Sequence, residues 1–488
     1  MLAILLGALD QTIVSVALPR MAQQLNGFDL LAWVVSGYLV ASTVVTPIYG
    51  KLGDLYGRRK LLSVAILVFL VASVACALAQ TMPQLVAARV LQGLGGGGLI
   101  SIAQAIIADV VPLRERGRYQ GYLSGVFAVA SVAGPVIGGL FTHYLSWRWI
   151  FWINIPLGAA AFLASRRALA GLAGPAISGV RRRVDYPGAV LLTLGLTALL
   201  IPISRVGQGV AIADTSNVAL LVVAIILILA CLAWERRAAE PIIPLPLFRI
   251  RAVTLCCALL FFAFLQLIAL AVLMPLRFQM VAGIAADSAA WRILPLTFTI
   301  PLGAFIAGRL MLHTGRYRPS QLIGVGVLPF ALVALAFFDP SAVVATTFFL
   351  IVAGIALGMQ FPSSLVAVQN AVPRQHIGIA TAATAFFRSL GGAIGIAVLS
   401  AILFSTLREI TPLASSTSGL DRGGDDMLRA MISSSLDAGS ASSDSRDAFR
   451  AGAELAFRRL FLIAAAISLI PLALAWWVPE GSLRDRVE

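Results

Sequence analysis

The sequence predicts an all-α membrane protein of fourteen spans, arranged as two six-helix bundles with two extra helices between them. Three observations lead there. Of 488 residues, 59% are hydrophobic and only 12% are charged, with a mean hydropathy of +0.94, whereas a typical soluble domain carries about 25% charged residues. Apolar runs recur along the chain, and about 20 residues rising 1.5 Å each cross the roughly 30 Å of a bilayer core. A short glycine- and arginine-rich stretch occurs twice, at Gly50–Lys60 and again at Gly308–Arg318.

A soluble chain of this length splits into several domains, each with a polar surface to cover. So small a charged fraction cannot cover them. A soluble enzyme, a nucleic-acid factor and a secreted scaffold are therefore excluded. The net charge of +14 and pI near 10.6 would suit a nucleic-acid binder, but the cations are scattered in short clusters, so nucleic acid is not an expected partner. Cys76, Cys231, Cys256 and Cys257 lie within apolar runs without metal-type spacing, and His143, His313 and His376 are far apart in sequence. Neither a disulfide framework nor a metal site is expected, and no cofactor.

In order, the predicted spans lie near 1–18, 30–49, 61–80, 85–108, 119–142, 149–165, 187–203, 217–234, 252–275, 290–311, 321–338, 342–366, 378–405 and 460–478. The runs are too long, and alternate too little, for barrel strands. The first lacks a basic leader and carries Asp10, so it is not a signal peptide. Whether Met1 is the true start stays open. With the N-terminus inside, 22 Lys and Arg fall in inside loops and the C-terminal tail, including Lys51, Arg114–Arg118 and Arg181–Arg183. The short outside loops hold five: Arg20, Arg148, Arg205, Arg277 and Arg292. That asymmetry follows the positive-inside rule and predicts a multi-pass protein of the bacterial inner membrane with both termini cytoplasmic. A long external loop at about 406–456, rich in Ser, Asp, Gly and Ala, is expected to be partly ordered, with a short helix near 442–456; it is a connector or else a lid. The divisions are a first half at 1–168, linkers and two extra helices at 169–248, and a second half at 249–488.

In the repeat, Gly50-x-Leu-Gly-Asp54-x-x-Gly57-Arg58-Arg59-Lys60 answers to Gly308-x-Leu-x-Leu312-x-x-Gly315-Arg316-x-Arg318. The second copy has Leu312 in place of the acid. Repeated halves are typical of proteins that rock one half against the other.

These residues resemble the major facilitator superfamily, specifically its fourteen-helix drug:proton antiporter branch. Leu9-Asp10-Gln-Thr12…Pro19 is similar to that branch's first-helix motif, Gly50–Lys60 to the superfamily loop motif, and Arg89-Val-Leu-Gln92-Gly93-Leu-Gly95 to the fourth-helix motif. Gly134-Pro135-Val-Ile-Gly138-Gly139 resembles the antiporter motif of the fifth helix, with Ala130 where a glycine is usual. Trp147–Gly158, with Asn154 and Pro156, is also typical of the branch. The resemblance implies multidrug efflux: export of small lipophilic compounds in exchange for protons, by alternating access. Export of a lipid or metabolite, or uptake by symport, remains open on the same fold. A membrane-embedded enzyme or receptor is a distant alternative, since no nucleophile–base motif is present. A periplasmic adaptor is left open.

Asp10 is the acid placed well within a span. Lipid surroundings make a bare carboxylate costly, so such a group can take up and release a proton. Arg89 is its expected partner; each is otherwise a structural group bonded locally. Asp54, Arg58 and Arg59, with Gly50 and Gly57 at the turn, form the expected cytoplasmic gate, with Asp54 facing the helix N-terminus near Gly378. Gly134, Pro135, Gly138 and Gly139 suit a tight, bent helix contact. The run Gly93–Gly98 matches a dinucleotide-loop pattern only as a string, because no strand precedes it. No phosphate-binding loop is present, so ATP is not the expected energy source. A drug cavity needs aromatic faces and a few polar groups. Trp33, Tyr38, Gln104, Phe261, Phe264, Gln266, Gln360, Phe361, Phe387 and Arg388 are its candidates, with Met359 as an adaptable neighbour.

Overall fold

The computed structural model describes residues 1–27, 30–169, 185–207, 213–238, 241–242, 245–284, 286–373, 376–410 and 443–480, and among them there is no strand. The first half comprises α1 (Leu2–Leu25), α2 (Leu31–Tyr56), α3 (Arg58–Leu78), α4 (Met82–Val110), α5 (Leu113–Tyr144), α6 (Trp149–Trp152) and α7 (Asn154–Ala168). Two helices follow, α8 (Tyr186–Gly207) and α9 (Thr215–Glu235). The second half is α10 (Arg251–Met280), α11 (Ala286–Thr314), α12 (Arg318–Phe337), α13 (Val343–Ala371), α14 (Ile377–Ile410) and α15 (Ser443–Trp476).

Among the described residues, 12 helices are long and apolar enough to cross a membrane. A bent pair, Leu2–Val14 with Val16–Leu25 at 45°, makes a thirteenth if it is one span. The predicted run at 149–165 is broken, into α6 and the 15-residue α7. Pro156 cannot donate to the Trp152 carbonyl, and that is where the helix parts.

Two further boundaries differ from expectation. The segment near 442–456 is the start of the 34-residue α15, and α14 runs on to Ile410. Arg277, expected in an external loop, lies within the 30-residue α10 and is 1% exposed. It donates to the carbonyls of Leu335 and Phe338 (2.9 Å to the latter), where α12 ends. Arg181–Arg183, Arg374, most of the long loop (411–442) and the tail from 481 lie outside the described residues.

Glycine decides how closely α4 is held. A Cβ on Gly95 would stand 2.6 Å from the Phe69 backbone nitrogen of α3, and one on Gly93 would strike the Tyr38 carbonyl of α2. The glycine run therefore lets α4 sit between α2 and α3. The two halves meet where α5 packs on α11 and α2 packs on α14. α8 lies against both α2 and α14, through Leu192, Leu196 and Leu200 on one side and Phe386 and Leu390 on the other. α9 packs on α8 and leaves Val222, Ile225, Ile226 and Leu229 exposed, as a lipid-facing helix does. Both copies of the repeated loop turn on glycines in the positive-φ region, Gly57 at φ 92° and Gly315 at φ 64°, where a side chain would be strained.

Candidate functional site

Asp10 and Arg89 meet in the core of the first half. Arg89 Nη1 lies 2.6 Å from Asp10 Oδ2, and the two side chains are 1% and 0% exposed. Arg89 Nε also donates to the Val34 carbonyl at 3.1 Å, and Nη1 donates to Gln92 Oε1 at 2.6 Å. The guanidinium stacks 4.3 Å from the centre of the Tyr38 ring. Asp10 Oδ1 accepts from Gln92 Nε2 and from Asn154 Nδ2, each at 3.0 Å. Both amides donate to Ser73 Oγ as well, which passes its own proton to the Phe151 carbonyl. Five helices thus contribute to one cluster around the carboxylate: α1, α2, α3, α4 and α7. A buried ion pair keeps its charges only when its remaining valences are filled in this way. Asn154 Oδ1 is a buried acceptor left without a partner among the described residues.

The second constellation lies at the ends of the helices. Asp54 Oδ1 pairs with Arg58 at 3.0 Å, while Oδ2 accepts from the Ile379 N–H at 3.0 Å, in the first turn of α14. That places an anion at the positive end of a helix of the opposite half. Arg58 also reaches Asp109 at 2.6 Å and the Ala105 carbonyl, tying α2 and α3 to α4. Arg59 donates to the Arg166 carbonyl. The fit is close: a Cβ on Gly50 would stand 2.5 Å from Ala382 Cβ, and one on Gly378 would strike Asp54. Beside it Arg116, 5% exposed, donates to Gln369 across the halves at 3.2 Å, and Gln369 donates to Thr381.

On α5, the two glycines at 134 and 138 face α1. A Cβ at Gly138 would lie 2.7 Å from the Ile13 carbonyl, and one at Gly134 would strike the Thr12 hydroxyl. Thr12 in turn donates to the Ala130 carbonyl at 2.8 Å. Gly139 has open space and Pro135 is exposed, so these two do not take part in the contact.

The cavity candidates do not form one group. Phe264 and Phe361 pack with ring centres 4.7 Å apart and planes tilted by 35°, and Arg388 lies over Phe264 at 5.0 Å. Tyr38 belongs to the Arg89 cluster. Gln266 donates to the Ala464 carbonyl and Gln360 to that of Ala356, both deep in the second half. Phe387 packs against Phe248 on the short turn Leu245–Arg249, and Phe261 against Phe262. Trp33 is partly buried near the start of α2, and Gln104 is buried on α4. Sequence reasoning missed Ser73, Arg116 and Gln369 as partners, and took Gln92 and Asn154 only as motif letters.

Among the described residues the chain is all helical, with 12 helices long and apolar enough to cross a membrane and an ion pair buried between them, an arrangement that suits a membrane carrier. The family model of the Major Facilitator Superfamily matches residues 1–396, and the chain belongs to that superfamily. It is 36% identical over 406 residues to an uncharacterized MFS-type transporter of Mycobacterium tuberculosis, covering 83% of this chain and 58% of that protein. The chain thus spans well under two thirds of that relative's length. The multidrug transporter protein MdtP of Bacillus subtilis is 32% identical, over 82% of this chain and 74% of its own length. Multidrug resistance protein 3 of the same species is also 32% identical, over 82% and 78%. Among solved structures, the proton:xylose symporter XylE superposes with a TM-score of 0.62 at 14% identity, covering 99% of this chain and 96% of that one. At that identity the likeness concerns the fold alone.

Proposed function

We propose that the chain is a proton-coupled exporter of small lipophilic compounds that works by alternating access in the bacterial inner membrane. One observation carries the coupling: a carboxylate buried in a membrane-spanning bundle, held by a guanidinium 2.6 Å away and by two amides. Protonating Asp10 removes the charge that holds Arg89, and the freed cation must find another arrangement. The latch between Asp54 and the start of α14 is the element that such a rearrangement biases, with Arg116–Gln369 beside it. Gly134 and Gly138 transmit the shift, because they bind α5 tightly to the helix that carries Asp10.

The relatives named for multidrug transport support export of lipophilic compounds. In this reading there are fourteen spans: the 12 helices, bent α1, and α6–α7 as one short broken span. It places both termini in the cytoplasm and the chain in the drug:proton antiporter branch. Uptake by symport is the second reading, favoured if substrate accumulates in energised cells. Dye efflux from cells, with and without a proton uncoupler, tests the proposal. Wild type should lose efflux with uncoupler, and Asp10→Asn should lack it with normal protein in the membrane. Undiminished efflux by Asp10→Asn would sink the coupling role.

A further inference from the structure

Arg89 and Arg388, each within a membrane-spanning helix, are balanced differently. Arg89 has Asp10. Arg388 has an aromatic face and, among the described residues, no hydrogen bond and no carboxylate within ion-pair distance. A cation this placed is not at a membrane surface. Arg388 is 11 residues into α14, a rise of about 16 Å. Phe264 is 13 residues into α10, about 20 Å, and Phe361 is 10 residues from the end of α13, about 15 Å. All three lie inside helices long and apolar enough to cross a membrane, and Arg388 and Phe264 fall well within the predicted spans at 378–405 and 252–275.

The neighbourhood also faces the right way. α13 packs on α5, and α14 packs on α2 and α4, so both helices border the first half rather than lipid alone. Arg388, Phe264 and Phe361 are each only partly buried, in a region where their helices are otherwise packed. Close packing of α14 on α10 is guaranteed by Gly391 and Gly395, whose Cβ positions would meet the carbonyls of Phe261 and Leu265. That fixes Arg388 over Phe264.

A partly buried guanidinium within a membrane-spanning helix, with no anion among the described residues to pair it, calls for one from elsewhere. Five N–H donors in a planar fork suit a carboxylate or sulfonate, and the paired phenyl rings suit an aromatic apolar body. We propose that Arg388 with Phe264 and Phe361 is the recognition site for a singly charged anionic aromatic amphiphile, such as an aromatic carboxylate or sulfonate. The proposal rests on the exporter reading for its physiological sense, but the site is a binding property that can be tested without transport.

The test uses purified protein in nanodiscs, with empty nanodiscs as blank. The probes are 8-anilinonaphthalene-1-sulfonate and N-phenyl-1-naphthylamine, the same rings without the sulfonate. Arg388→Gln should weaken sulfonate binding by about tenfold or more, the weight of one charge-assisted contact, and leave the neutral amine unchanged. Arg388→Lys should keep part of the preference, because the charge stays and the fork is lost. Equal loss of both probes in Arg388→Gln, or no loss of either, overturns the proposal. Wild type alone supplies a second measurement that needs no variant to fold: benzoate should displace the bound sulfonate, and benzyl alcohol at the same concentration should not. Equal displacement overturns the proposal too. Failure of the exporter reading looks different: sulfonate binding would still depend on Arg388, while Asp10→Asn left dye efflux untouched.

Discussion

The first half seats its buried Arg89 on Asp10, with Gln92, Asn154 and Ser73 filling the remaining valences. The second half leaves Arg388 on a phenyl face and gives Arg277 only carbonyls, those of Leu335 and Phe338. Its repeated loop is different as well. In the first copy, Asp54 reaches across to the N–H of Ile379 in the opposite half. In the second, Leu312 stands in place of the acid, and Arg316 and Arg318 turn instead to Glu480, four residues past the end of α15, at 3.9 and 3.2 Å. Tyr317 donates to the Pro479 carbonyl beside them. The repeat thus keeps its turn and changes its allegiance: one copy ties the halves together, the other anchors its own bundle. The buried ion pair is in the first half, and among the described residues Arg388 and Arg277 of the second half have no carboxylate within ion-pair distance.

The largest effect expected from breaking this asymmetry is at the ion pair. Arg89→Gln leaves a buried carboxylate without its cation, which costs about 3–5 kcal/mol in comparable sites. Thermal unfolding in detergent should register it as a clear drop in Tm. The double variant Asp10→Asn/Arg89→Gln should regain most of that stability, because amides can bond one another, yet remain uncoupled in efflux. If the double variant is as unstable as the single, the pair is not what holds α1 to α4. Next in size is the α1–α5 contact. Gly138→Ala drives a methyl against the Ile13 carbonyl and should cost about 1–3 kcal/mol, as overpacking does. Gly139→Ala, one residue on and in open space, should be silent. Equal effects in the same unfolding assay would show that this helix pair is not close-packed.

Most of the architecture was legible because composition and run length report the solvent directly. Asp10 and Arg89 were legible too, since an ionised side chain amid apolar residues stands out wherever it falls. The breaks were harder. Pro156 parts its helix through a missing N–H, but Pro47, Pro135 and Pro362 are carried inside continuous helices. A proline by itself does not say which outcome follows; that depends on whether the neighbouring helices supply partners. Arg277 was misjudged for a related reason. Near the end of an apolar run it looks like a surface charge, and only the carbonyls of α12, 58 and 61 residues away in sequence, draw it inward. Ser73 and Gln369 gave no signal at all, because polar residues of small charge are common in membrane helices and their partners are distant in the chain.

The smallest effect expected is also the most direct test of the two loops. Asp54→Asn keeps a hydrogen-bond acceptor for Ile379 N–H but removes the charge from the end of α14. A charge at a helix terminus is worth about 0.3–1 kcal/mol when exposed and up to about 2 when partly buried. A shift of that size changes the ratio of two access states by roughly two- to thirtyfold without unfolding the protein. Spin labels on the ends of α2 and α14 should therefore report a larger share of the separated distance in Asp54→Asn. Unfolding temperature should hardly move. In the second copy, Leu312→Asp should leave that distance distribution as it is. Its loop faces Glu480 and the end of α15, so a new acid there meets Arg316 and Arg318 rather than a helix of the other half. If Leu312→Asp shifts the distances as much as Asp54→Asn does, the two loops act alike, and the division of labour drawn from their contacts is wrong.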